Sequence, residues 1–521
     1  MLFLALQKLA RKGPVAEHAA GEENAMGTHS LRRCRCRLIG AALALVLCAA
    51  MSSVAYAQQD LERFQRQLEQ IRRDTILEVN PNVPLDQRTF VDYGAYVTVG
   101  YLTLDDNVDE NHVLRQYELF PYFRFNIDGA HEFFFRGRVG WRDFNDGDSF
   151  DGRGDERIDP DLDAGYYRFD LARSRAAYQG EQIDFNLIVK GGRDLVYWAN
   201  GLVLSQDIDG VTVDFTWRND VMLSVVAGVT PTRTVDFDAS RPKFDYNTRR
   251  GFYGATLSKA LGEHRPYVYG LIQRDYNNDD PLVQGPVVTN FDYDSYYLGA
   301  GSTGTFGNRL LYELEVVHEG GTGLSNSFEG DSIFISPIEQ TEEDIDAWAA
   351  DVRVDYLLAD VRRSRFTSEF IIASGDDDRV LSTSDTFGGN TPGTDDNAFN
   401  GMGLLNTGLA FAPQVSNLTS FRLGYSTFPF ADGGGVMSRI QFGTDWFLFY
   451  RTDDDAVIDE PLLESSDGES FLGWEPDVFV NWQITSDVTL SVRYGIFFPN
   501  DDVFESDEPR HFFYTGVTYA F

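Results

Sequence analysis

The chain has 521 residues, with 81 Asp and Glu against 44 Lys and Arg, for a formal charge of −37. So acidic a chain has no broad basic surface with which to neutralise phosphates, which excludes nucleic acid as a partner. It also holds 40 Phe and 25 Tyr, the aromatic richness expected where girdles of rings sit at two bilayer interfaces.

The first 57 residues read as a targeting segment. Leu31-Arg32-Arg33-Cys34-Arg35-Cys36-Arg37 is a positive n-region, Leu38 to Ala50 an apolar h-region, and Ala55-Tyr56-Ala57 a small-x-small cleavage site. Residues 1–25 make the n-region long, so Met26 or a nearby codon is an alternative start. An uncleaved anchor is the competing reading, but the apolar run is shorter than the roughly 20 residues a helical span needs. Cleavage near Gln58 leaves about 464 residues carrying about −41. All three cysteines, Cys34, Cys36 and Cys48, lie upstream of it, so neither disulfides nor thiolate metal sites are expected in the mature chain.

Residues 58–84 are predicted to be a helix and linker on the periplasmic side. Leu61, Phe64, Leu68 and Ile71 follow a 3-4-3 spacing over 60–77. A helix this short is marginal alone. Three fates stay open: homo-oligomer formation through residues 60–77, packing on the periplasmic rim, or entry into the lumen. Asn80-Pro81-Asn82-Val83-Pro84 ends the pattern.

From residue 85 onward alternation takes over. Candidate strands are 90–104, 113–127, 131–142, 162–178, 182–192, 210–217, 220–229, 250–258 and 265–276. A second half adds 291–305, 309–319, 344–357, 364–375, 417–428, 436–451, 473–484, 487–498 and 512–521. The last is typical: Phe513, Val517, Tyr519 and Phe521 share one parity, and Tyr514, Gly516, Thr518 and Ala520 the other. Long stretches, such as the acidic 142–162, 193–209, 230–249, 320–343, 376–416 and 452–472, alternate with short links such as Asp128-Gly129-Ala130. Long outer loops and tight inner turns are the rule for barrels. The prediction is all-β: a transmembrane antiparallel β-barrel of about 18 strands over 85–521, with a short N-terminal helix. A soluble sandwich explains the long-short rhythm less well.

Strand 131–142 sets Phe133, Phe135, Val139 and Trp141 against Glu132, Arg136, Arg138 and Arg142. Arginine is costly against lipid, so the charged parity faces the lumen. The same reasoning turns Arg124 and Lys190 inward. With Arg193 they form a candidate lumenal path for anions or other solutes, since arginine offers a forked donor pair to carboxylates. The alternative is a brace, each cation pairing with Glu118, Glu132 or Asp184 across neighbouring strands. Glu313 and Glu315, and Asp351, Arg353 and Asp355, put mixed charge on later strands.

No catalytic constellation rises above coincidence: the sequence has no HExxH pair, phosphate-cradling loop or serine elbow. An enzyme is not expected, and no cofactor is required. Asp376-Asp377-Asp378 and Asp453-Asp454-Asp455 are candidate calcium ligands at the outer rim, with hydrated loop surface as the plainer reading.

Gly473-Trp474-Glu475-Pro476-Asp477, Thr489 to Gly495, and Phe497-Phe498-Pro499-Asn500-Asp501 resemble the penultimate hairpin of the alginate export family of outer-membrane barrels. Asn500 replaces that family's glycine. Gly192-Arg193-Asp194-Leu195, followed by Asp209-Gly210-Val211, is similar to its Gly-Arg-Gln-x-Leu segment and the strand after it. Ser374-Gly375-Asp376-Asp377 resembles its Ser-Gly-Asp loop entry. The resemblance implies an 18-stranded channel in the outer membrane of a Gram-negative-type bacterium, with Arg193 at the lumen or rim, passing an acidic polysaccharide outward. The expected function is a channel for hydrophilic or anionic solutes, with polysaccharide export as the finer form. The alternative is a structural or adhesive barrel whose acidic loops bind calcium, lipopolysaccharide or a surface layer.

Overall fold

The computed structural model describes residues 66–72, 88–105, 111–149, 154–218, 220–231, 249–276, 281–331, 334–458, 468–504 and 508–521. The targeting segment, the proposed cleavage site and most of the 58–84 linker lie outside them. A short helix, α1, spans 66–72. The strands that follow are β1 (Thr89–Asp105), β2 (Asn111–Ile127), β3 (His131–Phe144) and β4 (Glu156–Asp170), then helix α2 (Leu171–Gln179). Next come β5 (Phe185–Tyr197), β6 (Ser205–Trp217), β7 (Val221–Val229), β8 (Arg250–Lys259) and β9 (His264–Asp275). After a loop hairpin, β10 (Leu282–Gln284) with β11 (Val287–Thr289), the wall resumes with β12 (Tyr293–Phe306) and β13 (Leu310–Leu324). A second loop hairpin, β14 (Phe328–Asp331) with β15 (Phe334–Pro337), precedes β16 (Glu342–Leu357), β17 (Arg365–Ala373), β18 (Thr419–Thr427) and β19 (Ile440–Tyr450). The wall ends with β20 (Phe471–Gln483), β21 (Val488–Pro499) and β22 (Arg510–Ala520).

Each wall strand pairs antiparallel with its neighbours in sequence, and β22 pairs with β1 from Tyr96↔Ala520 to Leu104↔Phe512. The result is a closed sheet of 18 strands. Closure satisfies every edge, the condition for a sheet to cross a bilayer. Among the described residues no helix is long and apolar enough to do so.

Parity decides the two faces. Tyr93, Val99, Tyr101, Phe135, Trp141, Leu298 and Val316 are exposed outward. Tyr96, Leu102, Gln116, Glu118, Arg124 and Glu132, on β1 to β3, are buried inward. The start of β1, the end of β22 and eight connections lie at one rim; nine loops, mostly longer, lie at the other. This is the expected topology, with two hairpins inside the outer loops that the alternation did not single out.

Two local expectations are corrected. The stretch 162–178 is not one strand: β4 begins at Glu156, within the acidic segment read as loop, and ends at Asp170. The Asp170 side chain accepts the Arg173 N–H as an N-cap, and Gly180 closes the helix in the left-handed region at φ 69°. The intervening Leu-Ala-Arg-Ser-Arg-Ala-Ala run favours helix over strand. Likewise, 193–209 is not a free loop, since β5 runs on to Tyr197 and β6 starts at Ser205.

Candidate functional site

The lumen is crossed by chain from three places. The β5–β6 tip brings Trp198, Leu202, Val203 and Leu204 against the inner side of the opposite wall. They pack there with Tyr267 and Tyr269 of β9, Tyr297 of β12, Val317 of β13, and Ala347 and Ala349 of β16. The loop between β17 and β18, residues 374–418, adds Phe399 and Met402 to this cluster. Leu204 and Met402 are bridged as a short parallel pair. The same loop sends Leu409, Ala410 and Phe411 into a second cluster, with Leu102 and Leu104 of β1, Phe447 and Phe449 of β19, Phe497 of β21 and Phe512 of β22. Phe411 stacks on Phe497 at 4.2 Å between ring centres.

Buried wall carboxylates hold these insertions. Glu315 on β13 accepts the Asn200 N–H at 3.1 Å and the hydroxyls of Tyr267 and Tyr269 at 2.8 and 2.5 Å. Asp351 on β16 accepts the Asn200 amide at 2.8 Å. Glu319 accepts the Asn400 N–H at 2.8 Å and the hydroxyls of Tyr293 and Tyr297. Glu475 on β20 accepts three successive backbone N–H groups, Leu409, Ala410 and Phe411, at 2.6, 2.7 and 2.8 Å. Buried anions need such donors to persist. Sequence parity put Glu315 and Asp351 on a charged face, but their role as loop anchors was not visible there, because their partners lie as much as 151 residues away.

Helix α1 is the third insertion. Ile71 is 3 % exposed and joins the Leu102–Phe411 cluster; Gln67, 2 % exposed, donates its side-chain amide to the Leu409 carbonyl. Arg72 pairs with Glu69 at 2.7 Å, with Asp163 of β4, and with Asp207 of β6 at 3.7 Å. Of the three open fates for this segment, its described turn takes the lumen.

The predicted cations are gathered on β2 to β5. Arg124 pairs with Glu132 at 2.7 Å, Arg138 with Glu118 at 2.5 Å, and Arg136 with Asp163, so all three occupy the inner face and carry acidic partners. Lys190 pairs with Asp194 and lies over the Tyr166 ring. Arg193 forks onto Asp209 with bonds of 2.7 and 2.9 Å and donates to the Leu162 carbonyl at 2.8 Å. That fixes the base of the β5–β6 hairpin to β4. Beside it Gly192 sits at φ 134°, where a Cβ would lie 2.2 Å from the Gly165 carbonyl oxygen. The brace reading therefore describes these contacts. Toward the inner rim, Arg124, Arg168, Arg173 and Lys190 line a recess of about 360 Å³ with Glu132, Asp214 and the Tyr166 ring. Arg168 and Arg173 were missed because their segment was assigned to one continuous strand.

The acidic triplets are loop staples in part. Asp376 accepts the N–H groups of Asp378 and Asn397 at 2.9 and 3.0 Å, and burial pushes its carboxyl up to about 6. Arg379 next to it is buried and forks onto Asp396 at 3.0 and 2.7 Å. Asp453 accepts the Asp455 N–H at 3.1 Å. In each triplet, Asp376 to Asp378 and Asp453 to Asp455, one oxygen per residue lies within 4.8 Å of the others, as exposed acidic groups commonly do without an ion.

A family model described as alginate export matches residues 229–512. The chain belongs to the alginate export family. The matched stretch runs from the end of β7 into β22, more than half of the protein, and includes the Glu475 anchor. With its closed sheet, this family member is an outer-membrane channel and not an enzyme. No curated protein matches the sequence closely enough to count as a relative. Solved Pseudomonas aeruginosa structures that resemble it include OpdQ, at 11 % identity and a TM-score of 0.48, covering 83 % of this chain and 97 % of that one. OccK8 (OprE) resembles it at 13 % identity and a TM-score of 0.47, covering 83 % and 98 %.

Proposed function

We propose that this alginate-export-family barrel passes anionic solutes, carboxylated sugars or short acidic saccharides, along the β2–β5 side of its lumen. The observation that carries the reading is the placement of Arg124, Arg136 and Arg138 on one inner face, with Lys190 beside them over Tyr166. Elsewhere in the lumen Glu315, Glu319 and Glu475 are taken up by loop backbone and Asp351 by the Asn200 side chain, which leaves the arginine-bearing side for cargo. An arriving carboxylate competes with Glu132, Asp163 or Glu118 for the arginine donors, and that competition keeps its hold weak enough for release. In so acidic a chain the local arginine-bearing side is the determinant of selectivity.

The test is the reversal potential of purified protein in planar bilayers under a salt gradient, for the wild type and for Arg136→Ala with Arg138→Ala. The ratio of anion to cation permeability is expected to fall several-fold in the double variant. An unchanged ratio overturns the assignment.

A further inference from the structure

We propose that α1 is a displaceable plug: a segment of the chain that occupies the constriction of its own channel and leaves it when solute passes. The inference rests on the channel reading above, and concerns how the pore opens rather than what it selects.

Three observations carry it. First, α1 is not part of the sheet. Its described side chains instead meet all three structures that narrow the lumen: the wall through Asp163, the β5–β6 hairpin through Asp207, and loop 374–418 through Leu409. A piece wedged between wall, hairpin and loop is placed to close the gap between them. Second, its contacts to the wall, hairpin and loop named above are made by side chains: the Gln67 amide, the Arg72 ion pairs and the buried Ile71. The neighbouring Leu409–Phe411 turn is instead fixed through three backbone groups onto Glu475. Side-chain contacts of this kind part without unravelling any strand. Third, the fit is incomplete. A void of about 30 Å³ separates Leu68, Ile71 and Arg72 from the wall at Tyr96 and Tyr514, and another of about 40 Å³ lies between Arg66, Gln67 and loop 399–415. Space of this size beside the helix is more than a tightly fixed core leaves.

Arg72 is the pivot. Asp163 receives Arg72 from the plug and Arg136 from the wall. When α1 departs, Asp163 keeps Arg136, so no buried carboxylate is stranded and the open state carries no unpaired charge at that point. Glu69 leaves together with Arg72, already paired to it.

The experiment uses the full-length protein carrying Gln67→Cys with Leu409→Cys, joined by a short reducible bis-methanethiosulfonate spacer and reconstituted in planar bilayers. The same channels are recorded before and after reduction. Tethered channels are expected to stay at low conductance, and reduction to raise mean conductance several-fold. A second variant, Ile71→Asp with Arg72→Glu, is expected to raise mean conductance without any reduction step. Equal conductance before and after reduction overturns the proposal, as does an Ile71→Asp, Arg72→Glu channel that conducts like the wild type. Should that variant not fold, the tethered pair decides alone, since it compares one population with itself. The outcome is separable from the selectivity test: tethered and reduced channels that conduct alike leave the effect of Arg136 and Arg138 on ion preference untouched.

Discussion

Replacing Glu475 by Leu removes the acceptor for three consecutive N–H groups at the innermost point of loop 374–418. Those donors, on Leu409, Ala410 and Phe411, stand 2.6 to 2.8 Å from its oxygens in a place closed to solvent. Each bond to a charged acceptor contributes about 1.5–3 kcal/mol, and an orphaned buried donor costs about 1–3 kcal/mol. Because the loop shares the strain among three adjacent groups, the sum is not additive, and a loss of about 3 kcal/mol is a conservative figure. At 1.4 kcal/mol per decade that raises the population with this turn detached by roughly a hundredfold. Glu475→Gln keeps one oxygen but turns an amide donor toward one of the N–H groups, so about half the effect is expected of it. Single-channel recording gives the readout: flicker and mean conductance rise in the order wild type, Gln, Leu, while the barrel still resists detergent unfolding in the cold. Identical traces from all three proteins would refute the reasoning that this carboxylate anchors the constriction.

Loop 374–418 should also respond to pH through Asp376. Its carboxyl is pushed by burial to about 6 from an ordinary value of 3.8. Its contribution to closure is therefore complete below about pH 4 and is lost as the pH rises through about 6. Amide exchange protection across the loop, corrected for intrinsic rates, should fall between pH 4 and pH 7 in the wild type and stay flat in Asp376→Asn; parallel curves would contradict this. Gly192→Val places a side chain against the Gly165 carbonyl at a φ of 134°, a conformation costing on the order of 1–3 kcal/mol for a branched residue. The midpoint of heat-induced unfolding on detergent gels should drop, and an unchanged midpoint would show that the hairpin base does not need glycine.

The barrel was legible because lipid imposes a strict rule. Every wall strand must alternate, so Phe133, Phe135 and Trp141 against Glu132, Arg136 and Arg138 fix an outer and an inner face without further information. Strand number and the long-short rhythm of connections follow from the same repetition. What lay beyond reach was the content of the lumen. Neither Glu315 nor Glu475 is the only acidic residue on its strand, and nothing local says that one receives Asn200 and the other the Leu409–Phe411 turn. Loop residues such as Leu202, Val203 and Leu204 look like an apolar interruption until the barrel curves a wall around to meet them. Helix α2 was lost for a different reason: the alternation of β4 runs directly into it, and the Asp170 and Gly180 signals were outweighed by an apparent strand. Parity sets Arg136 and Arg138 with Glu132, yet it cannot give their partners Asp163 and Glu118.

Selectivity is proposed to lie with the arginine-bearing side of the lumen. The most direct measurement is the sign of the zero-current voltage when purified wild-type protein separates two salt concentrations in a planar bilayer. A potential displaced toward the anion's equilibrium value is the predicted result; displacement toward the cation's value would contradict it.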